Sequence, residues 1–295
     1  MKRSKGWLSL VMVLTLVLLA LAGCGNKDNA GGTSGSGSPS PAGSPSGGSG
    51  GGGSAASGKA LDGIKKRGKL VVGVKYDTKL FGLKDPASGK VEGFDVDISK
   101  AIAKKLLGDE NKIELKEVTS KTRINMLNND EIDMIVATMT INEERKKEVD
   151  FSDIYFNAGQ SLLVKKGSPI KSIKDVTKDT KVLSQKGATS VKNIEEKVPG
   201  LRVQQFDNYQ DAFTALKSGQ GDVLTTDNAI LYGMMKQDPN FEVVGEPFTE
   251  EPYGIAVKKD TPDLVKFIND TLKELKSSGE YDKIYTKWIG EAPKK

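Results

Sequence analysis

The chain has 295 residues, a formal charge of +5, 37% hydrophobic residues, one cysteine and no histidine. Those last two counts exclude an intramolecular disulfide, Ser-His-Asp catalysis, histidine-based zinc sites and histidine proton shuttles. Lysines and acids are interspersed, with no basic block beyond short clusters such as Lys65-Lys66-Arg67, so nucleic-acid binding has little support.

In chain order, Lys2, Arg3 and Lys5 open a basic stretch, and Trp7 to Leu21 is then apolar apart from Ser9 and Thr15. That order predicts a secretory signal over 1–23. As a helix the apolar run would span roughly 22 Å, short of the ~30 Å hydrocarbon core, which argues against a permanent transmembrane anchor. Leu21-Ala22-Gly23-Cys24 resembles the lipobox of bacterial lipoproteins. The resemblance implies cleavage before Cys24 and lipid on its sulfur and new amino group, leaving no thiolate for catalysis or metal binding. Loss of the three leader cations lowers the formal charge to +2. Residues 24–58 follow as a Gly/Ser/Pro-rich linker with no apolar period. A chain of about 34 such residues has an end-to-end distance of roughly 30–35 Å, so a flexible leash is expected. A long leash suits a Gram-positive surface, with the protein extracytoplasmic and lipid-anchored to the cell membrane.

From Lys59 onward the chain is long enough for one large domain or two medium ones. Lys69 to Val74 reads as a buried strand, Asp95 to Leu107 as a helix with Ile98, Ala101, Ile102 and Leu106 on one face, and Lys112 to Val118 as an alternating strand. A helix is predicted over 122–129, a strand over 132–137 and a helix over 142–148. The pattern recurs with strands over 181–185, 201–206 and 222–225 and helices over 190–197, 209–217 and 228–236. Thr261-Pro262 offers an N-cap and first-turn proline for a last helix ending near Ser278. Alternating strands and helices predict an α/β architecture with mainly parallel sheets.

The alternation runs twice, on either side of a non-helical stretch at Phe151 to Gly167, and extended segments at 160–165 and 253–258 bracket the second run. Two lobes are therefore expected: 59–158 with 254–295 as lobe 1, and 159–253 inserted as lobe 2. Two crossings make a hinge suited to closing a cleft on a ligand. Ligands in open α/β sheets sit beyond the carboxyl ends of strands, near helix N-termini. Lys75, then Thr138, Thr140 and Arg145, then Lys186 to Ser190, then Asp227 follow four predicted strand ends.

Gly93-Phe94-Asp95-Val96-Asp97-Ile98 with Ala101-Ile102-Ala103 resembles the signature of extracellular solute-binding proteins for polar amino acids, family 3, the receptors of ABC importers. Thr138 to Arg145 with Asp150-Phe151-Ser152, Gln185 to Ser190, Thr226-Asp227, and Ser278-Gly279-Glu280-Tyr281 through Lys287-Trp288 are similar to later blocks of that family in the same order. The resemblance spans Lys59 to Gly290. It implies a type II periplasmic-binding-protein-like fold: two lobes, each a mainly parallel sheet flanked by helices, joined by a two-segment hinge.

The resemblance also implies roles. Arg145 matches the arginine that grips the ligand α-carboxylate, through two parallel charge-assisted bonds that lysine cannot copy. Asp227 matches the acid that holds the α-ammonium. Thr140 and Thr189 look like donors to the carboxylate, and Thr138 offers an oxygen to the ammonium. Each has a rival reading: a solvated Glu-Glu-Arg face for Arg145, a helix N-cap for Asp227, turn or cap duty for the threonines. Lys75, Ser120 and Arg123 resemble the glutamate/aspartate branch, where such residues meet the side-chain carboxylate; the rival is that both cations are surface residues. Arg145, Lys75 and Arg123 against Asp227 leave the site at +2, which favours glutamate at −1. Against that, Asp77 is able to pair with Lys75 or Arg123 and shift preference towards glutamine. The aromatic-Pro-aromatic segment of many relatives is replaced by Tyr76 to Leu83, where Tyr76 or Phe81 either covers the ligand or packs in the core.

The expected function is a non-enzymatic, monomeric, lipid-anchored receptor that binds glutamate, and aspartate as well, by lobe closure, without cofactor or metal, and delivers it to membrane permease subunits. Alternatives are a receptor for glutamine or another polar amino acid, a surface adhesin or sensor ectodomain, and a dehydratase of the same fold acting on cyclohexadienyl substrates.

Overall fold

The computed structural model describes residues 59–290; the predicted leader over 1–23, Cys24 and the linker over 24–58 lie outside the described residues. A helix absent from the predicted set, α1 (Lys59–Arg67), buries Ile64 and leads into β1 (Leu70–Val74). Strand β1 is apolar throughout, as expected of a parallel strand covered on both faces. Its Gly73 meets a steric demand: a Cβ there would stand 2.6 Å from Ile132 Cδ1. Three short strands follow, β2 (Asp77–Thr78), β3 (Gly82–Lys84) and β4 (Val91–Glu92), in a small antiparallel sheet. Two or three residues are too few to set a period, so the sequence does not announce them. Helix α2 (Phe94–Leu107) turns Phe94, Ile98, Ile102 and Leu106 inward.

Lobe 1 continues with β5 (Ile113–Glu117), α3 (Arg123–Asn128), β6 (Met134–Ile135) and α4 (Glu143–Lys146). The strand predicted over 132–137 pairs regularly only at Met134–Ile135. At its start the Asp133 carboxylate, rather than a backbone carbonyl, accepts the Val71 N–H at 2.7 Å. The non-helical stretch then resolves into β7 (Val149–Ala158) and β8 (Gln160–Lys165).

The second run comprises β9 (Val182–Gln185), α5 (Thr189–Lys197), β10 (Val203–Phe206), α6 (Tyr209–Lys217), β11 (Val223–Asp227), α7 (Asn228–Gln237) and β12 (Phe241–Val244). The chain returns through β13 (Glu251–Lys258) and ends with α8 (Pro262–Ser278) and α9 (Glu280–Trp288). Pro262 opens α8 as expected, but the Thr261 hydroxyl does not cap it. It donates instead to the Lys258 carbonyl at 2.6 Å.

Two five-stranded sheets organise the lobes, in the orders β5-β1-β6-β13-β7 and β10-β9-β11-β8-β12. The first three strands of each are parallel neighbours, and the fourth is reversed. The reversed strands, β13 and β8, are the two that follow the crossings between lobes. The crossings are bonded to one another: Phe248 N–H donates to the Gln160 carbonyl at 2.9 Å, and Gln160 N–H to Thr249 Oγ1 at 3.2 Å. Gly159 lies between them, where a Cβ would stand 2.6 Å from the Thr249 carbonyl oxygen.

Each sheet buries apolar side chains on both faces. In lobe 1 these culminate in an aromatic cluster beneath the strand ends. Phe81 meets Phe156 edge-on at 5.1 Å between centroids, and Phe156 stacks on Tyr253 at 5.5 Å. Phe81 is therefore core, and Tyr76 turns aside to donate its hydroxyl to the Leu115 carbonyl at 2.9 Å.

Candidate functional site

The carboxyl ends of β1, β6, β9 and β11 converge between the lobes, and the lobes are closed on one another. Tyr209 N–H at the start of α6 donates to Asp77 Oδ2 at 2.7 Å, and Gln210 Nε2 to the Asp77 carbonyl at 2.9 Å. On the other side Lys192 pairs with Glu144 at 2.6 Å. Gly187 allows the closest approach. It adopts φ +77°, and a Cβ there would stand 2.9 Å from Lys121 N and from the Ser120 carbonyl group.

All eight residues expected to bind ligand lie at this junction or bond to residues that do. Arg145 is the third residue of α4, whose first turn is capped by Asn142 accepting the Arg145 N–H at 2.8 Å. Glu143 and Glu144 point to solvent while Arg145 is 8% exposed, so the solvated-face alternative does not describe it. Its guanidinium donates to the Thr140 carbonyl at 2.8 Å and, across the cleft, to the Gly187 carbonyl at 3.3 Å. Thr140 itself bridges to Tyr253.

Asp227 ends β11 and stands at the N-cap position of α7, yet its side chain makes no capping bond. Its Oδ2 accepts the Tyr253 hydroxyl at 2.6 Å. Burial, and then the Glu251 carboxylate, raise the Asp227 pKa to about 7, while Tyr253, Arg145 and Arg123 oppose the shift.

Arg123 begins α3 and is 2% exposed. One nitrogen donates to the Ala137 carbonyl at 2.7 Å. Its Nε is buried and has no partner among the described residues. Burial, then the neighbouring Arg145 charge, lower its pKa to about 9, so it stays cationic at neutral pH.

Lys75 is fully buried. Its Nζ donates to Gln185 Oε1 at 2.9 Å and Ser120 Oγ at 3.2 Å, and lies 5.2 Å from the Tyr209 ring centroid. Burial lowers its pKa to about 8, with Asp77 as the leading opposing charge. Among the described residues no carboxylate bonds the ammonium directly: Asp77 is committed to Tyr209 N–H and to the Thr78 hydroxyl.

The threonines divide their labour. Thr138 is held at φ 46°, a strained conformation for a β-branched residue, by the Asp95 carboxylate, which accepts its N–H at 3.0 Å. Asp95 also accepts the Tyr155 hydroxyl at 2.8 Å, and burial raises its pKa to about 7. The Thr189 hydroxyl donates to Glu251 Oε2 at 2.9 Å, leaving its backbone amide, at the first position of α5, facing outward from the helix end. Glu251 is 2% exposed and also accepts from Asn193 at 2.7 Å and Thr249 at 2.9 Å.

Sequence reasoning left out Gln185, Tyr209, Glu251 and Tyr253 as site residues. Gln185 lies inside a quoted family block, so a signal existed. Apart from Thr249, Glu251 finds its partners 58 and 62 residues away, and nothing local marks it as a site residue. Among the described residues no group of acids is placed to hold a metal ion, and no helix is long and apolar enough to cross a membrane.

Comparison with known proteins identifies the family and the fold. The profile of bacterial extracellular solute-binding proteins, family 3, matches residues 70–291. The ABC transporter glutamine-binding protein GlnH of Bacillus subtilis (strain 168) is 65% identical over 233 residues, 79% of this chain and 85% of the relative. The glutamate/aspartate import solute-binding protein of Escherichia coli (strain K12) is 36% identical over 245 residues, 79% of this chain and 80% of the relative. Among solved structures, an ancestral arginine-binding protein bound to glutamine superimposes with a TM-score of 0.71 at 49% identity, covering 76% of this chain and 99% of that one.

Proposed function

The chain belongs to the bacterial extracellular solute-binding proteins, family 3, and from that membership we propose that it is the receptor of an amino-acid ABC importer whose cleft closes on glutamine. The observation that carries the ligand choice is the charge of the closed cleft. Counting Asp227 alone against Lys75, Arg123 and Arg145 leaves +2 and favours glutamate. The fold adds two carboxylates. Asp77 is the leading acid acting on Lys75, and Glu251 acts on both Arg145 and Asp227. Asp95, buried behind Thr138, also interacts with Lys75 and Arg123, so the +2 surplus that favoured glutamate is cancelled and a ligand of zero net charge suits the site.

Glutamate would bring one uncompensated negative charge into a closed, buried cleft, and arginine one positive charge. An unpaired buried charge costs about 3–5 kcal/mol, a preference of hundreds-fold or more. The expectation of glutamate and aspartate therefore gives way to the alternative, glutamine. The 65% identity to a glutamine-binding relative, against 36% to a glutamate/aspartate one, supports the same choice.

Arg145 holds the α-carboxylate and Asp227 the α-ammonium. The unpartnered Arg123 Nε donates to the side-chain amide oxygen. Closure buries all three pairs at once, so ligand shifts the open–closed equilibrium, and the closed surface is what the permease senses. The compared relatives are solute-binding receptors rather than enzymes. The lipid anchor at Cys24 and the monomeric state belong to the proposal.

Uptake of labelled glutamine by cells lacking the chromosomal copy tests the transport role. Restoration by the full chain, competed by unlabelled glutamine and not by equal glutamate, is expected. Restored uptake that glutamate competes equally, or no restoration, would contradict it.

A further inference from the structure

Lys75 is one of the two cations on which the acidic-ligand expectation rested, yet its ammonium is already engaged within the closed protein. Both of its hydrogen-bond acceptors are neutral: Ser120 Oγ from its own lobe and Gln185 Oε1 from the opposite lobe. Ser120 also donates to the same Gln185 oxygen at 2.9 Å. The Gln185 amide is oriented unambiguously, because its Nε2 donates to the Asp207 carbonyl at 3.0 Å. Its Oε1 thus accepts two bonds, the number an amide oxygen has lone pairs for. Gln185 is fully buried, at the last position of β9, immediately before the turn that carries Gly187 across to Ser120 and Lys121.

We propose that Gln185 is a specificity-determining residue, which on closure withdraws Lys75 and Ser120 from the ligand and so rejects an acidic side chain. The inference rests on the glutamine-receptor reading and names the group that enforces it. The protein supplies its own amide where an acidic-ligand receptor would leave a cation and a hydroxyl for the substrate. A charged ligand side chain would have to displace Gln185 and break three hydrogen bonds, two of them across the lobes. A neutral ligand displaces nothing. Gln185 is at once latch and filter, since Lys75 and Ser120 sit in lobe 1 and Gln185 in lobe 2.

The test is calorimetry on the full chain, stripped of ligand, with glutamine and glutamate as probes, comparing wild type with Gln185→Leu and Gln185→Glu. Gln185→Leu releases Lys75 and Ser120, so the ratio of glutamate to glutamine affinity is expected to rise tenfold or more, while glutamine binding weakens. Gln185→Glu keeps the length and adds a carboxylate beside Lys75, so glutamate binding is expected to fall further. This variant stands in if the leucine fails to fold, as judged by thermal melting. An unchanged glutamate-to-glutamine ratio in whichever variants fold would overturn the role of Gln185. Wild type that binds glutamate as tightly as glutamine would instead sink the parent reading, and the two failures are distinguishable.

Discussion

The Tyr253 hydroxyl donates to Asp227 Oδ2 at 2.6 Å, tying the strand that returns to lobe 1 to the acid at the end of a lobe 2 strand. The tyrosine ring stacks on Phe156 in the aromatic cluster, so the acid is positioned from the core of lobe 1. A hydrogen bond to a charged group contributes about 1.5–3 kcal/mol. Tyr253→Phe keeps the stack and removes only that bond. We predict glutamine affinity reduced roughly ten- to a hundredfold, with the enthalpy of binding less favourable in calorimetry. Wild-type affinity in Tyr253→Phe would show that Asp227 needs no such support.

The same acid sets a pH dependence for binding. In the ligand-free cleft burial and Glu251 hold the Asp227 pKa at about 7. A bound ammonium favours the carboxylate, so the complex binds fewer protons than the free protein. Affinity is therefore expected to be highest near pH 8, where the ligand is still an ammonium, to fall as the pH drops through 7, and to approach a tenfold loss per unit below that. Calorimetry in buffers of differing ionisation enthalpy should register proton release near pH 7. A flat profile from pH 5 to 8 without proton release would contradict the assignment of Asp227 to the ammonium.

Gly187 separates closure from folding. A methyl group at that position meets the Ser120 and Lys121 backbone only when the lobes are together. In Gly187→Ala the left-handed φ costs about 1 kcal/mol. That corresponds to a drop of about 2–4 °C in the melting temperature of the ligand-free chain. Glutamine affinity is expected to fall by more than tenfold, and small-angle scattering should show incomplete compaction with ligand. Equal compaction of variant and wild type would mean that the lobes close without this approach.

Much of this molecule is legible in its sequence, and the exceptions have a common physical origin. The strand-helix alternation, the buried run of β1 and the Pro262 start of α8 are local signals, and each has its element. Arg145 and Asp227 are recognisable because short motifs, Asn142-Glu143-Glu144-Arg145 and Thr226-Asp227, place them at a helix start and a strand end. Lys75 is different. Its surroundings include Gln185, 110 residues away, and no pattern near Lys75 tells that its ammonium will meet that amide. Charge counting from motifs leaves out Glu251 for the same reason, since the returning hinge strand brings it within electrostatic reach of Arg145. Short strands β2 to β4 escape because pairing, not periodicity, defines them.

On the proposed reading, a cleft whose cations are matched by buried acids selects a ligand without net charge. Calorimetric titration of the full chain, freed of ligand, with glutamine, glutamate, aspartate and arginine tests it most directly. Glutamine bound at least a hundredfold more tightly than glutamate, aspartate or arginine is the predicted result. Glutamate or aspartate bound as tightly as glutamine, or tighter, would contradict it.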